Sequence, residues 1–119
     1  MKVIHVGDLE KVENASRLFT SPVTIQSAVT DNEGDNNVVY VNFPEGVANK
    51  FHTHNHDQVL VVTEGKGFIE TETERKEITV GDVVLIKARE IHKHGAVPGS
   101  TMTHISITLP QTTIDQVED

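Results

Sequence analysis

GVANKFHTHNHDQVLVVTEG, residues 46–65, decides how this chain is read. His52 and His54 stand two residues apart. In a strand, residues i and i+2 point to the same face, so the two imidazoles lie side by side. That is half of a metal site. Gln58 follows four residues later and offers an amide oxygen. A fourth donor, His92, sits in a second segment, GDVVLIKAREIHKHGA, residues 81–96. The remainder of the chain reads as the box that holds these four side chains.

Working outward, the flanks are short strands and turns. VTIQSAV (23–29) and VVYVNF (38–43) alternate and are rich in β-branched residues. Val39, Val41 and Phe43 share one face. DNEGDNN (31–37) is a turn by composition, and its acids do not have calcium-loop spacing. VLVV leads to a tight turn at Glu64-Gly65-Lys66-Gly67, then to the strand FIETET. The acidic stretch 70–77 is a solvated strand pair. Further strands are expected around Ile78 and over 82–86, turning at Gly81, and over TMTHISITL (101–109), which Pro110 stops. VIHV (3–6) reads as a short strand, 8–18 as a turn or two of helix behind a capping Asp, and QTTIDQVED as a loose tail or a packing arm. Strands this short, with turn signals every few residues, mean a β-sandwich or barrel.

Composition sets the class. At 119 residues the chain has the length of one domain, read as residues 1–119. It is 36% hydrophobic and 4% aromatic, with a formal charge of −8 and a pI near 5.2. No basic cluster exists to hold nucleic acid or anionic lipid, so neither is an expected partner. The apolar runs fall far short of a membrane span. The N-terminus, MKVIHVGDLE, lacks a signal-peptide pattern, and cytoplasmic residence is the expectation. There is no Cys, no GxSxG and no glycine-rich loop opening a helix, which removes thiol, serine-hydrolase and nucleotide chemistry.

Three histidines and an amide suit a divalent transition ion, with Zn, Fe, Mn, Co, Ni and Cu all open on spacing alone. An ion that prefers more than four ligands keeps positions for water or substrate, so the site suits catalysis better than structure. Neutral donors leave the whole 2+ charge on the ion, which strengthens it as a Lewis acid. His56 lies near the bend and is the weaker candidate for a ligand. His94 follows His92 at i+2 and should face the same cavity. His104 lies on a separate strand with Met102 and Ser106 on its face. If that face is the inner one, His104 sits over the metal without binding it, where a general base belongs.

The two segments resemble the motifs of the cupin superfamily. The first, G-x5-H-x-H-x3-(E/Q)-x6-G, is met by Gly46, His52, His54, Gln58 and Gly65. In the second, G-x5-P-x-G-x2-H, Gly81 and His92 fit, while Lys87 and Arg89 replace the Pro and Gly. The chain is similar to a small single-domain group, of the cupin-2 type, that includes the manganese-dependent hydroxynitrile lyases. HTHxxxQ, His92-Lys93-His94-Gly95-Ala96, Met102-Thr103-His104 and Arg17-Leu18-Phe19-Thr20 carry that similarity.

The resemblance implies an all-β double-stranded β-helix, a jelly-roll barrel that dimerises with a second copy. It implies His52, His54, Gln58 and His92 as ligands of a divalent metal, manganese first, with Fe, Zn, Ni and Co as alternatives. His104 would be the base and His94 a second polar group, and Val39, Val41 and Thr108 would line the substrate pocket. Phe51, Leu85 and Lys93 stand where that group carries pocket aromatics, which implies a smaller or more polar pocket. The expected activity is a lyase of the hydroxynitrile-lyase type on a small hydroxylated molecule. A quercetinase- or diketone-type dioxygenase and a non-catalytic small-ligand binder are the alternatives.

Overall fold

Alternation decides the architecture of the computed structural model, which describes residues 1–119. Ten strands follow in order: β1 (Val12–Asn14), β2 (Val23–Val29), β3 (Asn37–Phe43), β4 (His52–His54), β5 (Gln58–Thr71), β6 (Arg75–Thr79), β7 (Val83–Ile86), β8 (His92–Ala96), β9 (Met102–Thr108) and β10 (Ile114–Gln116). All pairings are antiparallel. The main path of neighbours runs β1-β2-β3-β9-β5-β8-β4-β10, with β6 and β7 also on β5. This is the expected all-β double-stranded β-helix. No helix is long and apolar enough to cross a membrane.

β5 belongs to both halves of this sheet. Val59–Val62 pair with β9, while Gly67–Thr71 pair with β8. The expected tight turn at Glu64–Gly67 is therefore a bend inside one fourteen-residue strand. The register shifts between Val62 and Glu64. Gly65 takes φ +73°, and a Cβ there would stand 1.8 Å from the Thr101 carbonyl oxygen. Only glycine lets the strand fold over at that point.

The inward residues of both halves meet in a core of Val23, Val41, Phe43, Val47, Val62, Ile78, Ala96 and Met102. The segment before β4 is drawn against β8 by the bridge Ala48↔Gly95. A Cβ on Gly95 would lie 2.3 Å from the Ala48 Cα, so the approach requires glycine.

Two expectations fail at the ends of the chain. VIHV is no strand; a single 3-10 turn covers Val6–Asp8. The helix expected over 8–18 gives way to β1, which pairs with β2. A helix this short is marginal without packing. Here the buried Gln26 amide donates to the Val6 and Leu9 carbonyls at 3.0 and 3.2 Å, satisfying them without a helix ladder. The C-terminal residues are a packing arm: β10 pairs with β4.

Candidate metal centre

β4 turns both its histidines inward and leaves Thr53 between them half-buried. β8 sets His92 directly opposite His52. All three are buried, and their ligand atoms lie within 4.8 Å of one another. The three could hold a metal ion.

Each imidazole is held from behind by a carbonyl. His52 Nδ1 donates to Lys50 O at 2.6 Å, His92 Nδ1 to Glu90 O at 2.8 Å and His54 Nδ1 to Thr113 O at 3.0 Å. A carbonyl only accepts, so Nδ1 carries the proton and Nε2 keeps its lone pair. This is how metal-binding histidines are oriented. His54 Nε2 and His92 Nε2 are buried with no partner in the protein. The Gln58 amide behaves alike: Nε2 donates to Ser106 Oγ at 2.8 Å, and Oε1 is buried without a partner. An unpaired buried acceptor costs about 1–3 kcal/mol. A cation would relieve several of these at once, and the donor set fits a divalent transition ion.

Burial holds these groups neutral. It takes His52 down to about 3, with the nearby His92 charge acting in the same direction. It takes His92 to about 4 and lowers His54. Neutral imidazole is the form that binds a metal.

A second buried cluster lies beside the first. His94 Nδ1 is 3.2 Å from His104 Nε2. The other side of the His94 ring, Nε2, is 3.2 Å from Asn49 Nδ2. The His94 main-chain N–H donates to Asn49 Oδ1 at 2.8 Å. β9 carries His104 inward between Val41 of β3 and Val62 of β5, and Phe43 packs on its ring with centroids 5.4 Å apart. Burial lowers His104 to about 4 and His94 well below its ordinary value.

His52, His54, Gln58, His94 and His104 line one cavity of about 220 Å³. Its apolar wall is Leu18, Phe19, Ile25, Val39, Val41, Phe43 and Ile114. Val39 and Val41 face this cavity. Thr108 does not: it lies on a shallow surface hollow with Asn37 and Val39. It shares the parity of His104 and Ser106 but sits one further strand repeat along, beyond the cavity. His56 is outside the three-histidine group.

Phe51, Leu85 and Lys93, on which the expectation of a smaller or more polar pocket is based, do not line this cavity. All three face outward: Lys93 stacks on Phe51 at 4.5 Å, and Leu85 is exposed. The aromatic wall comes from Phe19 and Phe43 instead. Phe19 arrives from the segment before β2, through a bridge to Asn49. Asn49 itself carries no motif signal. Only its polar character, between buried Ala48 and the histidine pair, hinted at a role.

The turn before His92 survives its substitutions. Arg89 stands at φ +68°, a left-handed conformation that favours glycine. Its N–H donates to His54 O at 2.8 Å. Asp57 accepts from the Ala88 N–H and the Lys87 ammonium, both at 2.8 Å.

With this geometry in view, likeness to known proteins acquires meaning. The Cupin domain family profile matches residues 39–108. An (R)-mandelonitrile lyase of Granulicella tundricola is 43% identical over 68 residues, which is 56% of this chain and 52% of that protein. The chain therefore spans about half the length of the curated relative it matches. A cupin-like protein from Thermotoga maritima superposes with a TM-score of 0.86 at 30% identity, covering 94% of this chain and 89% of that one. The polyketide cyclase RemF from Streptomyces resistomycificus has a TM-score of 0.83 at 16% identity, covering 100% of this chain and 87% of that one. That last likeness is one of fold alone.

Proposed function

The chain belongs to the Cupin domain family, and on that premise we propose that it is a metal-dependent lyase that cleaves small cyanohydrins. His52, His54, His92 and Gln58 hold the ion in this reading, with manganese first by resemblance. The observation that carries the reading is His104: a buried imidazole outside the histidine trio, lining one small, largely apolar cavity together with His52 and His54 of that trio. The partial match to a mandelonitrile lyase supports the reaction class.

The apolar wall of Val39, Val41, Phe19 and Phe43 takes the body of the substrate and keeps water from the reacting carbon. His104 rests neutral, because burial disfavours its charged form. Its Nε2 accepts the proton of the substrate hydroxyl. The oxygen lone pair then forms the carbonyl as the carbon–cyanide bond breaks, and cyanide leaves with the bonding pair. The proton passes from His104 to cyanide, so an aldehyde and hydrogen cyanide are released and the base is restored. When bound, a divalent cation supplies fixed positive charge against the anion that develops in this step. The same reading takes residues 1–119 as one cupin domain and, on resemblance alone, as a cytoplasmic homodimer.

His104→Ala is expected to lose mandelonitrile cleavage by about 100-fold or more, the usual weight of a general base. Its metal content by elemental analysis should match the native protein. Unchanged cleavage would remove His104 from the chemistry. Native protein that is loaded with metal but inactive on cyanohydrins would end the lyase reading.

A further inference from the structure

Three buried side chains form a chain in which each proton position dictates the next. The His94 main-chain N–H can only donate, so the Asn49 atom 2.8 Å away must be the carbonyl oxygen. The other arm of that amide is therefore NH2, and it donates to His94 Nε2, 3.2 Å away. A nitrogen that accepts is unprotonated, so the His94 proton sits on Nδ1. That proton points at His104 Nε2, again at 3.2 Å, which must then accept. The proton of neutral His104 is left on Nδ1, which has no hydrogen-bond partner. Asn49, His94 and His104 are 4%, 3% and 1% exposed, so bulk water offers no alternative partner.

We propose that Asn49 is a positioning residue: through His94, it holds His104 in the tautomer whose Nε2 is a bare lone pair. Free neutral histidine favours the opposite tautomer, with the proton on Nε2. In that form Nε2 would donate to a substrate hydroxyl and could not take its proton. Three elements must meet for the device to work. The close approach at Ala48↔Gly95 brings Asn49 to β8, and the β3–β9–β5 register turns His104 inward. The His94–His104 contact is at the long end for a hydrogen bond. A substrate hydroxyl can therefore compete for the same lone pair and release the His94 Nδ1–H as a second donor in the cavity.

The tautomers do not depend on the lyase reading; only their use as a base rests on it. Proton–nitrogen NMR of ring-labelled histidine in the zinc-loaded, diamagnetic protein reads them directly. One-bond coupling is expected at Nδ1 of His94 and His104, and none at either Nε2. In Asn49→Asp the carboxylate offers only acceptors, and coupling should appear at His94 Nε2. A native protein with a proton on Nε2 of either residue overturns the proposal, as does Asn49→Asp with the native pattern. The native measurement stands even if the variant does not fold. Native tautomers as stated, beside metal-loaded native protein that is inactive on cyanohydrins, would uphold Asn49 and sink the lyase reading instead.

Discussion

Acid should unfold the metal-free protein through its inner histidines. In the unfolded chain a histidine titrates near 6.5. In the fold, His104 and His92 are lowered to about 4 and His52 to about 3, burial being the first cause for each. Between those values and 6.5 the unfolded state binds more protons than the native state, so stability rises with pH across that window and is lost as pH falls through it. At pH 5 each of the three weakens the fold by about 2 kcal/mol relative to pH 7.5, and together by about 6 kcal/mol. All three are at most 2% exposed, so solvent screening takes little from this. A small domain has about 5–15 kcal/mol in all. The assay is urea unfolding of chelator-treated protein, followed by circular dichroism at both pH values. With a slope of about 1.5 kcal/mol per molar, the midpoint should fall by about 4 M. His104→Leu should shrink the pH-dependent loss by about 2 kcal/mol, whatever it does to stability at pH 7.5. A total loss below about 2 kcal/mol, or the full native loss in His104→Leu, would refute the reasoning.

Two further predictions concern the frame of the site. Arg89→Gly should stabilise the protein by about 0.5–1 kcal/mol, since the left-handed conformation costs an ordinary residue about 1–2 kcal/mol and glycine returns part of that as chain entropy; thermal melting checks it, and a lowered midpoint would contradict it. Ending the chain at Gln111 removes the Thr113 carbonyl behind His54 and should weaken metal affinity about 10–100-fold by titration calorimetry, the usual weight of a partner that orients a ligand. An unchanged affinity would make the C-terminal arm irrelevant to the centre.

Much of the site could be read from residue order because its signals are local. An i, i+2 pair in a strand needs no tertiary information to share a face, so His52 and His54 are set by their spacing. The alternation of 38–43 likewise puts Val39 and Val41 on one face, and the resemblance implied that this face lines the pocket. Local reading went wrong where long-range pairing overrode it. Gly65 and Gly67 look like a turn but mark a bend within β5, because β9 and β8 take the two halves of one strand. The helix-forming composition of 8–18 yields to β1, because β2 and Gln26 supply other partners for its backbone.

By itself, the sequence determined the all-β class, the histidine pair, the second motif and the donor types of the candidate centre. The second motif came from the family resemblance; the others follow from side-chain chemistry and a two-residue repeat. Only the tertiary structure decided which carbonyl stands behind each imidazole, that Phe19 and Phe43 wall the cavity while Phe51 faces outward, and that Asn49 meets His94 forty-five residues away. Such contacts depend on register and on close backbone approach at single glycines, and those are properties of packed strands that no local stretch of chain contains.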